Sequence, residues 1–195
     1  MYRFFVFMLK FFFLITRGID VTGLENVPAQ GGAVVAGTHT TMFDPVAIAI
    51  AVRRPVHFMA KDELFHLPVL GWLFRRVHAF PVKRGLADRD AIRTAQERVT
   101  QGHLLGIFPE GTRNRACEEM LPLQGGAALI SIKTGVSVIP VVVKGLKPFR
   151  FRKPIKVVFG QPIDLGGPKK ANKAEVAHGN ELISAQFKLL LSRNN

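Results

Sequence analysis

Short apolar runs alternate with amphipathic segments along most of the chain, and the two patterns predict different elements. Runs of four to eight mostly apolar residues are typical of buried strands, and they cover residues 33–36, 56–60, 79–82, 104–108, 136–143 and 155–159. Apolar residues at helical spacing predict helices over residues 46–52, 68–76, 88–101 and 125–134, and a terminal helix after Lys169. This alternation predicts an α/β fold: one domain with a mostly parallel, mixed sheet flanked by helices.

Prolines change the prediction for two of the strands, and turn-forming residues change it for the segment before the first buried strand. Pro81 favours an edge strand or a bulge over 79–82, because proline has no N–H for a sheet hydrogen bond. For the same reason we expect Pro140 to break the strand over 136–143. Residues 20–32 look like an irregular connection. The terminal helix should pack on the domain through its regularly spaced apolar side chains, which are Leu182, Ile183, Phe187, Leu190 and Leu191.

The first seventeen residues carry a separate signal. They are mostly Phe, Leu, Val, Ile and Met, and their only charged residues are Arg3, Lys10 and Arg17. A spacing of seven drifts by about 20° per step on a helix, so these cations form one stripe. A membrane span needs about 20 apolar residues, whereas this run is shorter and has Lys10 in its middle. We therefore expect residues 1–19 to form an amphipathic helix in the membrane interface, with the three cations toward anionic head groups, and residues 20–195 to form the globular domain.

Two other interpretations of this segment are weaker. No small-residue cleavage site follows the apolar run, which disfavours a signal peptide. A helix packed into the core would leave the basic stripe unexplained.

Composition limits the classes of protein. At 195 residues the chain is long enough for one domain with a sizeable core. The net charge of +13 calls for an anionic partner: nucleic acid, an acidic membrane or a phosphorylated substrate. Cys117 is the only cysteine, so an internal disulfide and Cys₂ or Cys₄ metal sites are excluded.

Polar residues suited to acid–base chemistry follow the first buried strand. His39 comes at its carboxyl end, the edge at which open α/β sheets place their sites. A neutral imidazole can take a proton if its other nitrogen is held as a donor. Asp44, five positions later, is suited to hold it. The alternative is that Asp44 only caps the helix that Pro45 begins and that His39 is an ordinary loop residue.

A second polar group, residues 109–113, follows the strand over 104–108. Arg113 offers a forked guanidinium suited to phosphate, Thr112 a hydroxyl donor, and Gly111 a close approach of the backbone. Glu110 has the simpler interpretation of an ion-pair partner for the arginine. Lys61 and Arg84 come at two further strand ends.

Four blocks in this order resemble those of the glycerolipid acyltransferases of the 1-acylglycerol-3-phosphate acyltransferase (PlsC) type. They are His-x₄-Asp at 39–44, Ala-Phe-Pro-Val-Lys-Arg ending at Arg84, Phe-Pro-Glu-Gly-Thr-Arg at 108–113 and Val-Ile-Pro-Val at 138–141. The resemblance covers roughly residues 20–165. It implies that His39 is the general base and that Asp44 orients it. It also implies that five residues hold a phosphate-bearing acceptor: Arg84, Glu110, Gly111, Thr112 and Arg113.

Further candidates follow from the same resemblance. Thr38 and Thr41 stand where the family often has Asn and Ser, and both keep a hydroxyl. Gln124 replaces a lysine of the family pattern and weakens one expected contact. The block around Pro140 is usually placed near the acyl donor or in the fold, and Lys61 remains a candidate at its strand end.

The implied reaction moves a fatty acyl group from acyl-CoA or an acyl-carrier protein to the sn-2 hydroxyl of lysophosphatidate. It needs no metal, no cofactor beyond the acyl thioester and no acyl-enzyme; no serine sits in a Gly-x-Ser-x-Gly motif. The implied partner is an anionic membrane lipid surface, with peripheral or monotopic attachment at the cytoplasmic face of the cell membrane. No nucleic acid is expected.

Three alternatives stay open. The nearest is an acyltransferase for glycerol 3-phosphate or another lysophospholipid. The second is a basic nucleic-acid-binding domain, although no known motif of that class occurs. The third is a metal-dependent phosphohydrolase with His39 and Asp44 as ligands, which lacks a sufficient ligand cluster.

Overall fold

A seven-stranded sheet forms the centre of the protein. The computed structural model describes residues 2–83, 88–115, 120–147 and 153–192. The strands are β1 (Ile19–Thr22), β2 (Ala33–Gly37), β3 (Val56–Lys61), β4 (Phe80–Val82), β5 (Leu104–Ile107), β6 (Val138–Lys144) and β7 (Ile155–Phe159). Their order is β1-β7-β6-β2-β5-β3-β4. All neighbours are parallel except β6 and β7, so the predicted mostly parallel, mixed sheet is confirmed.

Helices cover both faces of this sheet, as predicted. They are α1 (Tyr2–Thr16), α2 (Asp44–Ala51), α3 (Pro68–Arg76), α4 (Arg89–Thr100), α5 (Gly126–Thr134) and α6 (Lys173–Ser192). Short 3₁₀ helices lie at Leu24–Asn26 and Asp62–His66.

The central strand β2 explains why the fold needs two helical layers. All five of its residues are buried, because it lies between β5 and β6 and has both faces covered. Ala33 and Val35 face one core, which includes residues of α1 and α2. Val34 and Ala36 face the other, which includes residues of α4, α5 and α6. Such strands have continuous apolar sequences rather than alternating ones.

The β2–α2–β3 and β3–α3–β4 connections place α3. Both join parallel strands, and both move in the same direction across the sheet. Since such crossovers are right-handed, α2 and α3 lie on the same face. A contact between the rings of Tyr2 in α1 and His78 after α3, 5.3 Å between centroids, agrees with this placement. Thus α1, α2 and α3 share one side of the sheet.

Pro140 does not break β6, contrary to our prediction. The strand runs continuously from 138 to 144, with Pro140 opposite Ala36 of β2. The carbonyl of Pro140 accepts a hydrogen bond from Gly160 N. The Pro140 nitrogen, which has no hydrogen to donate, therefore faces β7, just beyond the last residue pair of the two strands. Val141 O accepts from Thr38 N on the other side, so the pairing with β2 is kept.

Two further predictions are wrong in part. Residues 20–32 are not wholly irregular, because β1 occupies 19–22 and pairs with β7 at the sheet edge. In α6, Ile183, Phe187 and Leu190 are buried as expected, but Leu182 and Leu191 are exposed. The edge position predicted for the strand with Pro81 is confirmed, since β4 ends the sheet.

The N-terminal helix is confirmed, but Arg17 does not belong to an exposed stripe. Arg17 is buried; its Nε donates to Lys153 O at 3.1 Å, and its Nη2 donates to Gly145 O. The helix ends at Thr16, so the spacing of seven does not extend to residue 17. Lys10 is exposed, as predicted, whereas the side chain of Arg3 lies outside the described part.

The sides of α1 differ in exposure. Phe13 is buried in the core shared with α2. A larger set of apolar side chains faces outward: Phe4, Phe7, Met8, Leu9, Phe11, Phe12 and Ile15. Within the described ranges, we find no helix with the length and apolar character needed to cross a bilayer.

Candidate active site

His39 lies directly beyond β2, where its side chain meets Asp44 at the start of α2. His39 Nδ1 is 3.0 Å from Asp44 Oδ2. An ionised carboxylate only accepts hydrogen bonds, so Nδ1 carries the proton and Nε2 is the acceptor nitrogen. Both side chains are buried, His39 at 7% exposed and Asp44 at 0%. This is the base-and-orienter arrangement that the spacing predicted.

Asp44 is fixed by the loop that carries the histidine. Its Oδ2 accepts hydrogen bonds from the backbone N–H groups of Thr40 and Thr41, both at 2.7 Å. Its Oδ1 accepts one from the Thr41 hydroxyl at 2.9 Å. The alternative role as a helix cap is wrong, because Asp44 is the first residue of α2 and Phe43 is at the N-cap. Thr41 therefore acts within this network.

Glu110 holds the backbone of His39. Its Oε1 accepts a hydrogen bond from His39 N at 2.9 Å, and its Oε2 accepts from Leu121 N at 3.4 Å. The Glu110 side chain is buried, at 4% exposed. Asn114 N adds a bond to His39 O at 2.6 Å. Loop 109–114 thus fixes the histidine from the neighbouring strand end, and Glu110 lies under the site rather than on its open side.

An aromatic ring supports the imidazole. The Phe108 ring stacks on His39 with 4.2 Å between centroids and 24° between planes. Gly37 makes this approach possible, since a Cβ there would lie 3.0 Å from the Phe108 ring and 3.1 Å from Ile48 Cδ1. The ring orientation is therefore set by packing as well as by Asp44.

The acceptor-binding candidates form the outer part of the same edge. Gly111, Thr112 and Arg113 are all exposed. Gly111 has φ +69°, and a Cβ there would come within 3.1 Å of Gln124 Cγ, so this loop requires glycine. Gln124 N donates to Pro109 O at 2.6 Å, which joins the loop to the approach of α5.

A small apolar cavity opens beside this loop. Its volume is about 130 Å³, and its wall combines strand-end and loop residues: Met59, Val82, Ile107, Phe108, Pro109, Gly111, Gln124 and Gly126. The cavity therefore lies between the Phe108 ring, which stacks on His39, and the loop that carries Arg113.

The remaining candidates are less central. Lys61 ends β3 and pairs with Glu63 at 2.9 Å on the surface. Pro140 is a buried residue of β6, one strand away from His39. Arg84 and Cys117 lie outside the described residues. Within the described ranges, no three His, Cys, Asp or Glu side chains are placed to bind one metal ion.

A second buried histidine lies in the same sheet, near the amino end of β3. The ring of His57 stacks on those of His78 and His103, at 4.9 and 4.5 Å. Burial lowers the pKa of His57 to about 4, and the positive charges of His103, His78 and Arg98 add to this effect. Burial also lowers the pKa of His78, and the positive charges of His103 and Arg98 contribute.

Sequence reasoning missed three supporting contacts of the site. Phe108 and Asn114 were not singled out, and Glu110 was interpreted as a substrate or arginine contact. The only signal for Phe108 was its place in the third block. Nothing in the sequence indicated that Asn114 N would reach His39 O.

Comparisons with known proteins identify the family of the chain. The family model described as Acyltransferase matches residues 18–144. The chain is 31% identical over 199 residues to the 1-acyl-sn-glycerol-3-phosphate acyltransferase of Bacillus subtilis, covering 99% of this chain and 94% of that protein. It is 32% identical to the protein of the same name from Streptococcus pneumoniae, covering 85% and 63% of the two chains.

A solved structure shares the fold. The 1-acyl-sn-glycerophosphate acyltransferase PlsC from Thermotoga maritima superposes with a TM-score of 0.72 at 24% identity, over 100% of this chain and 83% of that one. Together, the family match and the near full-length relatives establish that the chain belongs to the acyltransferase family, among the PlsC-like glycerolipid acyltransferases.

Proposed function

We propose that the protein transfers a fatty acyl group from an acyl thioester to the sn-2 hydroxyl of lysophosphatidate, giving phosphatidate. One observation carries the proposal: the buried His39–Asp44 pair leaves Nε2 as the acceptor nitrogen at the carboxyl edge of the sheet. The names of the relatives supply the substrate class.

The chemistry follows from that pair. His39 Nε2 takes the proton of the acceptor hydroxyl while the oxygen attacks the thioester carbonyl. A C–O bond forms, the C–S bond breaks, and the leaving thiolate takes the proton from the imidazolium, which restores neutral His39. Asp44 stabilises the positive charge that develops on the imidazole. Direct transfer of this kind uses no acyl-enzyme.

Arg113 is the residue best suited to bind the acceptor phosphate. It is exposed, it lies on the loop whose Glu110 and Asn114 hold His39, and a guanidinium pairs with phosphate in a bidentate manner. Thr112 adds a hydroxyl donor beside it. Arg84 is proposed as a second cation from the family pattern.

The membrane is proposed as the place of the reaction, with peripheral or monotopic attachment at its cytoplasmic face. The outward apolar side of α1, with Lys10 exposed beside it, is typical of a helix that lies in the interface. Lysophosphatidate carries its free hydroxyl at head-group level, so an enzyme held there meets it directly.

A substrate panel tests the proposal. Purified protein would be offered labelled acyl-CoA or acyl-carrier protein with lysophosphatidate, other lysophospholipids or glycerol 3-phosphate, and His39→Ala serves as the inactive control. We expect phosphatidate as the main product and no transfer by the variant. Preferred acylation of glycerol 3-phosphate would overturn the acceptor assignment and favour the nearest alternative.

A further inference from the structure

The helix α3 presents apolar side chains to the outside. Val69 is 77% exposed and Trp72 45%, and Leu67 and Leu70 are exposed beside them. We call these four residues the α3 face. A compact group of this kind marks an interaction site more often than scattered exposed residues do.

The opposite side of α3 packs on the 3₁₀ helix Asp62–His66. Gly71 is buried against the backbone of Phe65, where a Cβ would lie 2.2 Å from the carbonyl oxygen. The Phe74 ring contacts the Phe65 ring at 5.6 Å between centroids.

Basic side chains border the α3 face. Arg75 and Arg76 end the helix. The guanidinium of Arg76 lies 5.2 Å from the Trp72 ring, and that of Arg75 lies 5.8 Å from the Phe65 ring. Tryptophan beside arginine is the composition that favours the boundary between acyl chains and head groups.

The nearby acidic side chains are already paired. Glu63 bonds Lys61 at 2.9 Å, and Asp62 lies 3.3 Å from His66 Nε2. Lys61, Arg75 and Arg76 outnumber these two carboxylates, so the surface has a net positive charge, which is complementary to an anionic partner.

The α3 face lies on the same side of the sheet as the exposed apolar side of α1. Right-handed crossovers place α3 on the same face of the sheet as α2, and the ring of Tyr2 in α1 contacts that of His78, which follows α3. Met42 and Phe43, in the loop between His39 and α2, are also exposed. Exposed apolar groups of α1, α3 and the catalytic loop thus belong to one layer of the molecule.

We propose that the α3 face is a second membrane contact, which enters an anionic bilayer with Arg75 and Arg76 at the head-group phosphates. This inference rests on the proposed attachment through α1. One helix in the interface leaves the domain free to rotate about the helix axis. A second contact removes that freedom and fixes how the edge with His39 meets the lipid surface.

Trp72 provides a direct test, because it is the only tryptophan in the chain. The full-length protein would be mixed with vesicles of equal parts phosphatidylglycerol and phosphatidylcholine. We expect its fluorescence to shift to shorter wavelength and to be quenched when the lipids carry bromine near the top of the acyl chains. Vesicles of phosphatidylcholine alone should give a smaller effect, because the arginines lose their partner.

Double variants distinguish binding through the α3 face from non-specific attraction by the net charge of the protein. Arg75→Glu with Arg76→Glu should lower the affinity for anionic vesicles about tenfold or more, since each basic residue near such a surface contributes about 1 kcal/mol. Val69→Glu with Leu70→Glu should abolish most of the Trp72 quenching. The matched control is Arg93→Glu with Lys133→Glu, which makes the same charge change at exposed positions of α4 and α5 on the opposite face. It should change affinity by less than about threefold, because those positions lie away from the bilayer.

Three outcomes would overturn the proposal. Trp72 emission that stays unchanged while the protein sediments with vesicles would mean that α3 stays in water. An equal loss of affinity in the control pair would mean a non-specific charge effect. A blue shift that depends on protein concentration without lipid, together with a dimer in analytical sedimentation, would assign the α3 face to a second copy.

The same experiment keeps this proposal distinct from the catalytic one. Transfer to a short-chain, soluble lysophosphatidate should be unchanged in the α3 variants, since His39 and Asp44 are untouched. Failure of α3 to bind lipid would leave that activity intact. Failure of acyl transfer in the wild type would instead contradict the proposed function.

Discussion

One buried histidine follows a strand of the sheet and another lies within a strand, and their environments differ in one decisive way. His39 is 7% exposed and stacks on Phe108, whereas His57 is 5% exposed and stacks on two other imidazoles. His39 follows the carboxyl end of β2, and His57 is near the amino end of β3. Burial and aromatic stacking are common to both, so neither property explains which histidine can act as a base.

The difference is the charge that faces each ring. Asp44 Oδ2 lies 3.0 Å from His39 Nδ1, so a carboxylate faces this ring. His57 instead faces His78, His103 and Arg98, which oppose that charge. Among the described residues nothing forms a hydrogen bond with His57 Nδ1. The histidine that we propose as the catalytic base is thus the one that faces a carboxylate, and the other faces only cations and imidazoles.

We expect the largest loss of activity from replacing His39 or the carboxylate that faces it. His39→Ala and Asp44→Asn should each lower kcat by about 10²–10⁴, because general-base catalysis is lost or the wrong tautomer is favoured. Steady-state transfer to lysophosphatidate measures this. His57→Gln is the matched control and should keep near wild-type turnover. Comparable losses in all three variants would break the comparison.

Glu110 tests whether holding the His39 backbone matters as much as holding its ring. In Glu110→Gln, an NH₂ group replaces one of the two oxygens that accept hydrogen bonds from backbone N–H groups. We expect kcat to fall about tenfold to a hundredfold, which corresponds to the loss of one charged hydrogen bond. The KM for lysophosphatidate should change little. Glu97→Gln at an exposed site is the control. A rise in KM with kcat unchanged would instead make Glu110 a substrate contact.

Arg113 is exposed on the loop beside His39, at the carboxyl edge of the sheet. Arg113→Ala should raise the KM for lysophosphatidate about tenfold, because a charge-assisted hydrogen bond to phosphate is worth roughly 1.5–3 kcal/mol. Arg113→Lys should recover part of the loss. With a phosphate-free lysolipid acceptor the variant and wild type should be alike, and an equal defect there would exclude a phosphate role.

The smallest effect concerns stability and His57. Its folded pKa of about 4 lies below the usual value of 6.5, so the unfolded chain binds more protons between these pH values. The free energy of unfolding should therefore fall as pH drops from 6.5 toward 4, by up to about 3 kcal/mol from this residue. His57→Gln should reduce the pH dependence of Tm in this window. An unchanged slope would show that His57 is not an acid-labile group.

Local patterns predicted most of the sheet and its catalytic edge. The strand β2 has a wholly apolar sequence, which is typical of a buried strand, and the His-x₄-Asp spacing is short enough to bring the pair together within one loop. The errors have long-range causes. The strand β1 depends on pairing with β7, and Pro140 is tolerated because β2 holds the other side of β6.

Long-range bonds also account for the contacts near the site and in α1 that the sequence does not predict. Glu110 reaches His39 across 71 positions, and Arg17 reaches Lys153 across 136. A charged residue in a sequence indicates a polar environment, but its partner in the fold decides whether that environment is solvent, substrate or buried backbone.

The burial of Phe13 has a consequence for trimming the chain. A protein cut after Thr16 would lose a core aromatic worth about 1.5–3 kcal/mol and uncover part of α2. Such a shortened protein would lose solubility and heat resistance along with any lipid affinity, so its defects would say nothing specific about bilayers. Single substitutions on the outward side, such as Phe7→Ser or Phe11→Ser, leave the inner packing in place and are the cleaner way to separate adhesion to lipid from integrity of the fold.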